Sequence, residues 1–154
     1  MEIVNINKRP DLIPTVARWY HEEWGHIRSR SYEHMVQVLQ DRCVGDFPFT
    51  LVAIDQGEAV GTASLKIHDM DILQDLTPWL ASVYVPPIHR GRRIAAALIG
   101  NVERVANGLG FMHLYLYTWT AATLYQKLGW LTLQELDYNG VDVVVMKKPI
   151  QVSP

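Results

Sequence analysis

The sequence predicts an α/β fold with a mixed, mostly antiparallel central sheet flanked by helices, in the order β-α-α-β-β-β-α-β-α-β-β. Three observations lead there. Two tight turns, Asp55-Gln56-Gly57-Glu58 and Asn139-Gly140, each join alternating apolar runs and so make antiparallel hairpins. A strand over 79–85, a long helix to about Asn107 and a strand over 112–117 imply a parallel pair at the sheet centre. No internal repeat, linker or low-complexity stretch interrupts the 154 residues, which read as a single domain, 1–154.

Composition narrows the function classes. Hydrophobic residues make up 49% and charged residues 19%, a globular balance. A net charge of −2 argues against a nucleic-acid partner, which calls for an excess of Lys and Arg. No apolar run is long enough to span a bilayer, and the polar start around Glu2, Asn5 and Lys8 does not read as a signal peptide. Cys43 is the lone cysteine, so no internal disulfide forms. The expectation is a soluble, cytoplasmic protein with no membrane and no nucleic-acid partner.

The elements follow from local signals. Residues 2–7 alternate as a first strand. Pro10-Asp11 opens a helix carrying Leu12, Val16, Trp19 and Tyr20, which is expected to end near Gly25. Ser31 starts a second helix, with Met35, Val38 and Leu39 at helical spacing, to about Arg42. Strands 50–54 and 59–67 form the first hairpin. Residues 68–77, with Asp69, Asp71 and Asp75, read as an acidic loop. Gly108 and Gly110 close the long helix, Ala121 to Leu128 is a short helix stopped by Gly129, and 131–138 and 141–147 are the last hairpin.

The stretch from Val83 to Leu98 organises the chain. It reads as a strand ended by Pro86-Pro87, which cannot donate to a ladder, then a basic glycine-containing turn, then a helix. Ile94, Leu98, Val102, Val105 and Leu109 give that helix its apolar face. Its first turn presents unpaired N–H groups and the positive end of the dipole beside Arg90, Arg92 and Arg93. That combination suits a phosphate or pyrophosphate. Cations alone are disfavoured at a helix start, so three arginines there make most sense with an anion between them.

These residues resemble the acetyl-CoA signature of the GNAT N-acetyltransferases, Gln/Arg-x-x-Gly-x-Gly/Ala. Arg90 fills the first position and Ala95 the last, while Arg93 stands where the middle Gly is usual. A Cβ there opposes a positive φ, so the sequence leaves two outcomes: ordinary helical geometry at Arg93, or weakened cofactor binding. A second segment, Ala121-x-x-x-Tyr125-x-x-x-Gly129-Trp130, resembles the family's Ala-x-x-x-Tyr-x-x-x-Gly-Phe, with Thr118 in place of the frequent Asn. Both motifs, in order, make the resemblance cover nearly the whole chain.

The resemblance implies a GNAT fold whose two central strands splay apart around the cofactor arm. It implies acetyl-CoA as cosubstrate, no metal, a primary amine as acceptor, and a homodimer as family members often form. Cofactor-binding residues are then Val83, Tyr84, Val85, Arg90, Gly91, Arg92, Arg93, Ile94, Ala95 and Thr118. Tyr125 is the catalytic residue, hydrogen-bonding the departing sulfur, and backbone N–H groups near 83–85 hold the oxyanion. Read only as spacing, Ala121, Leu124, Tyr125 and Leu128 are also a helix core face. The non-enzymatic alternative is a GNAT-fold module that binds acyl-CoA or a protein partner without turnover.

The acceptor side is less defined. Deprotonating a lysine-type amine at pH 7 costs roughly 4.6 kcal/mol, against about 1 for an α-amine, so a lysine-type acceptor needs a base more. Glu22, Glu23, His68, Asp69 and Asp71 are the candidates. Among the tryptophans, Trp24 and Trp79 are the candidate substrate-binding residues, and the acidic loop suits a cationic small molecule. The run His21-Glu22-Glu23-Trp24-Gly25-His26 is no zinc helix: its histidines are five apart, and Gly25 is expected to break the helix between them.

Overall fold

The computed structural model describes residues 1–28 and 30–150, with residues 26–28 as backbone only. Among the described residues seven strands form one sheet in the order β1-β2-β3-β4-β5-β7-β6, and four α-helices accompany it. By internal packing the chain divides into two compact units. The first comprises Met1–Leu65 and Ser82–Val102, and the second Lys66–Ala81 and Glu103–Pro154.

In the first unit β1 (Glu2–Asn5), β2 (Phe49–Asp55) and β3 (Glu58–Lys66) run antiparallel, Glu2 opposite Ile54 and Phe49 opposite Leu65. The β2–β3 turn takes positive φ at Gln56 (50°) and Gly57 (81°), the geometry a two-residue hairpin demands. Helix α1 (Ile13–Arg28) buries Ile13, Val16, Ala17 and Tyr20, and α2 (Tyr32–Asp41) buries Met35 and Leu39. Both stripes pack with Ile6, Val52 and Ile54 into one core. Ser31 caps α2 by accepting from His34 N at 3.1 Å.

The first strand is shorter than expected, since Ile6–Lys8 is a 3-10 turn, and Pro10–Leu12 is a second such turn ahead of α1. Helix α1 does not stop near Gly25 but continues to Arg28. Gly25 is needed for another reason: a Cβ there would lie 2.9 Å from the His21 ring and 3.3 Å from Arg30 O. The chain turns back over this position, and Arg30 N donates to Gly25 O at 3.2 Å. The helix therefore does not break between His21 and His26, whose side chain lies outside the described residues. The five-residue spacing still places the two histidines on different helix faces.

The long helix α3 (Ile94–Gly108) sets Ile94 and Leu98 against β3. At Gly61 a Cβ would meet Ile94 Cγ2 at 2.9 Å and Leu98 Cδ1 at 3.0 Å, so only glycine permits that approach. Its C-terminus closes with Phe111 N donating to Ala106 O and Gly110 at φ 95°, while Gly108 stays helical.

In the second unit Trp79 of β4 (Trp79–Tyr84) pairs in parallel with Tyr115 of β5 (His113–Thr118). Strand β5 continues antiparallel to β7 (Val141–Pro149), from His113 opposite Pro149 to Thr118 opposite Val144. β6 (Leu131–Tyr138) and β7 form the last hairpin, with Asn139 and Gly140 at φ 54° and 83°. Met70, Trp79, Tyr115, Val143 and Val145 make the core here. Among the described residues no helix is long and apolar enough to cross a membrane.

Candidate active site

The end of β4 carries a backbone feature that the sequence does not announce. Ser82, inside the strand, has φ 56°. An L-residue reaches the left-handed region at a cost, and within a strand it turns the adjoining peptide groups away from the ladder. Val83, Tyr84 and Val85 follow it, all half-buried. The Tyr84 ring lies against Trp19 (5.8 Å between centroids) and edge-on to Trp24 (6.1 Å). Burial, then Glu23, push its hydroxyl pKa up, and the Arg90 guanidinium 5.9 Å from its ring centroid opposes them.

The arginines do not act as three equal cations. Arg90 donates from Nε to Val85 O at 2.9 Å, tying the turn to the strand it leaves. Arg92 gives Nη2 to Asp55 Oδ2 at 2.5 Å and lies 3.2 Å from His89 Nδ1 through Nη1. The hydrogen bond from Arg92 holds the Asp55 carboxyl below the usual carboxylate range. The anion beside Arg92 in this chain is thus its own Asp55, brought from the β2–β3 turn. The Arg93 side chain is exposed and makes no hydrogen bond or ion pair among the described residues.

The turn itself keeps the shape of a glycine-rich one. Gly91 has φ 83°, with nothing within 4 Å of the place a Cβ would take, and Arg93 has φ 62°. The ordinary helical geometry read from the sequence is not what forms: the residue is an arginine, yet the backbone is left-handed. The N–H groups from Gly91 to Ala96 have no backbone partner among the described residues, and the first helical bond runs from Ala97 N to Arg93 O at 3.1 Å. Alternating left-handed residues ahead of a helix start form a concave array of N–H donors. Relieving the strain at Arg93 is expected to stabilise the chain. Left-handed geometry costs an L-residue about 1–2 kcal/mol, and the extra freedom of an unfolded glycine returns part of that. Arg93→Gly should therefore gain about 0.5–1 kcal/mol, read as a melting temperature roughly 1–4 °C higher.

In the second unit, Tyr125 on α4 (Ala122–Lys127) is 8% exposed, with Trp130 edge-on at 6.0 Å. Its hydroxyl has no hydrogen-bond partner among the described residues. Burial pushes its pKa up to about 12, so at neutral pH it is a donor that holds its proton. An unfolded tyrosine ionises near ~10. Between those values the unfolded chain has lost a proton that the native chain keeps, so stability falls with rising pH. The loss is on the order of 3 kcal/mol, absent below pH 10 and developing as the pH rises toward about 12. Wild type and Tyr125→Phe should have matching stability below pH 10 and diverge across that window, with wild type the less stable at high pH.

Thr118 is 8% exposed and its Oγ1 accepts from Ala121 N at 3.0 Å and Thr120 N at 3.4 Å, which shapes the entry to α4. Trp79 is 0% exposed. Its Nε1 donates to Leu76 O at 2.7 Å, and its ring lies against Tyr115 (5.8 Å) and Tyr117 (6.4 Å). The acidic loop is partly committed: Asp69 pairs with Lys66 at 2.9 Å, and Asp71 accepts from the Tyr138 hydroxyl at 2.8 Å. Burial raises the Cys43 thiol pKa, and its Sγ donates to Leu39 O at 3.4 Å, so it is no activated nucleophile.

A family model described as the Acetyltransferase (GNAT) family matches residues 13–130. The chain belongs to this family. No curated protein sequence matches it. Solved structures confirm the GNAT fold over the full length. An aminoglycoside 6'-N-acetyltransferase complexed with coenzyme A is 17% identical with a TM-score of 0.80, covering 100% of this chain and 99% of that one. The yncA protein of Salmonella typhimurium, solved with its cofactor acetyl-CoA, is 18% identical with a TM-score of 0.81, covering 100% and 96%. A ribosomal-protein-alanine N-acetyltransferase from Brucella melitensis is 21% identical with a TM-score of 0.80, covering 97% and 99%.

The residues of this GNAT chain fit a pyrophosphate where the motif predicts one. The open space over Gly91 and the unpaired N–H groups up to Ala96 are a cradle that side chains would fill elsewhere. Ser82 is the residue that sequence reasoning missed, since serine has no left-handed preference to betray it. Asp55 was missed as well, being far from Arg92 in sequence.

Proposed function

We propose that this chain is an N-acetyltransferase, acting as one domain over 1–154, that moves the acetyl group of acetyl-CoA directly to a primary amine. The turn at Gly91 and Arg93 carries the reading: its backbone keeps a phosphate-binding form even with arginine at the glycine position. The same observation supports cofactor binding, which the enzyme and an acyl-CoA-binding module share, so turnover is what separates them. The N–H groups of Gly91 to Ala96 hold the pyrophosphate, with Arg93 the cation left to meet it. The N–H groups that follow the left-handed Ser82 serve the arm and the oxygen on which charge develops.

Tyr125 donates a hydrogen bond to the sulfur as its bond to carbon breaks. Full proton transfer is not what it does. Against a thiol near ~8.5, a phenol at about 12 faces roughly 5 kcal/mol. The proton lost by the attacking amine leaves by another route, and Glu22, Glu23 and His68 remain the candidates on exposed positions. Thr118 shapes the α4 entry beside this group, and Trp24 offers an aromatic wall to the acceptor.

Titration calorimetry of acetyl-CoA into wild type and Arg93→Gly tests the reading, followed by CoA release across a panel of amines. Saturable binding by both proteins within about 1 kcal/mol, with amine-dependent thiol release, is the expected result. Binding by neither protein overturns it; binding with no release from any amine favours the non-catalytic module.

A further inference from the structure

Helix α1 and strands β2 and β3 enclose a polar chain that acetyl transfer leaves unused. Arg42, the residue that caps α2, is 9% exposed. Its Nη1 donates to Thr50 Oγ1 and to Ser64 Oγ, both at 3.1 Å. Thr50 and Ser64 are 2.8 Å apart, and the Tyr20 hydroxyl lies 3.2 Å from Ser64 and 3.5 Å from Thr62. Thr62 donates to Leu51 O at 2.9 Å. One direction of donation satisfies every hydroxyl: Thr50 to Ser64, Ser64 to Tyr20, Tyr20 to Thr62, Thr62 to the Leu51 carbonyl.

The protons balance and the charge does not. Among the described residues no carboxylate forms an ion pair with Arg42, and its Nε and Nη2 have no hydrogen-bond partner and keep some accessible surface, while the rest of the side chain is enclosed. A guanidinium stays charged at any working pH, and burying it without a counter-charge is unfavourable. The C-terminal dipole of α2 offsets only part of this. What is left is the Nε and Nη2 edge, the fork that grips a carboxylate side-on. Elsewhere in this chain Arg9 holds Asp11 with those same two atoms, at 3.0 and 2.9 Å.

The fork stands on the wall that carries the candidate acceptor residues. Tyr20, a member of the hydroxyl chain, lies 5.7 Å from Trp24, and Trp24 is edge-on to Tyr84 of β4. Ser64 is on β3, the neighbour of β4 in the sheet. From this geometry we infer that Arg42 receives a carboxylate of the acceptor, which is an amino-carboxylic acid rather than a simple amine or a polycation. The commitments of Asp69 and Asp71 to Lys66 and Tyr138 agree, since they leave the 68–75 loop less charge for a polycation. The identity of the ligand as acceptor rests on the acetyl-transfer reading; the anion site itself does not.

Two measurements test this, each with Arg42→Gln and the charge-keeping Arg42→Lys. Propionate is titrated in chloride-free buffer while the melting temperature is followed. Wild type should be protected saturably and Arg42→Gln should not. CoA release is then compared for amino acids and their carboxamides, with rates referred to the neutral amine. Wild type should favour the acid by about tenfold or more in kcat/KM, and Arg42→Gln should bring the ratio close to one. If the Gln variant does not fold, Arg42→Lys, which lacks the fork, should lower the ratio by at least about threefold. Equal use of acid and amide by wild type overturns the inference, as does propionate protection that persists in Arg42→Gln. Should no amine be turned over, the acetyl-transfer reading fails, and the propionate melts still decide the anion site.

Discussion

Replacing Tyr125 with phenylalanine should lower kcat for acetyl transfer by about 100-fold while leaving the affinity for acetyl-CoA within about threefold. That size follows from one hydrogen bond to a sulfur that becomes charged only as the reaction proceeds. A bond to a charged partner contributes about 1.5–3 kcal/mol, and about 2.7 kcal/mol is two powers of ten in rate. Because the interaction strengthens with the charge on sulfur, its loss falls on kcat rather than on binding. The substitution is also a clean one. The hydroxyl has no partner among the described residues, so its removal strands no buried group. The ring stays to pack against Trp130. Comparable kcat values for the two proteins, measured with saturating amine, would show that Tyr125 is a packed aromatic and nothing more.

The persistence of donation by Tyr125 at high pH is a second consequence of the same burial. A phenol with a pKa of about 12 does not ionise between pH 8 and pH 10. Any fall in kcat over that range therefore comes from another group, and it should remain in Tyr125→Phe at its lowered rate.

The parts of this chain that local chemistry decides were legible in the sequence. Gln56-Gly57 and Asn139-Gly140 take the positive φ values of tight hairpins because those residues tolerate them. The face of α3 with Ile94, Leu98 and Val102 follows from spacing alone, and those residues are buried. Leu109, at the same spacing, falls beyond the helix end and is 39% exposed, since periodicity does not mark where a helix stops. Gly25 was misleading for a physical reason: a glycine that admits a returning backbone looks the same as a glycine that ends a helix. The parts that distant residues decide were not legible. Asp55 reaches Arg92 only because the β2–β3 turn brings it there. Ser82 and Arg93 are held left-handed by their surroundings against their own preference, and no propensity scale predicts such a residue.

Trp79 shows how side-chain direction escapes a sequence reading, and it carries the largest expected effect on stability. Its position at the start of β4 suggested a pocket wall, but its ring is 0% exposed among Tyr115, Tyr117 and the core of the second unit. Trp79→Ala removes that ring and the bond from Nε1 to the Leu76 carbonyl. A buried tryptophan truncated to alanine costs about 3–5 kcal/mol, the spread reflecting how far the site can collapse. The melting temperature should fall by roughly 6–20 °C. Trp79→Phe keeps most of the packing and loses the hydrogen bond, for a cost of about 1–2 kcal/mol. The pair of variants separates support from recognition. As a platform under Tyr117, which in turn lies 5.7 Å from Tyr138, Trp79 should change acceptor KM in the phenylalanine variant by less than about threefold. A tenfold rise in KM with an unchanged melting temperature would place Trp79 against the acceptor instead. The first outcome assigns the acceptor side to residues with accessible surface, Trp24 first among them, and makes the aromatic stack behind it a matter of stability.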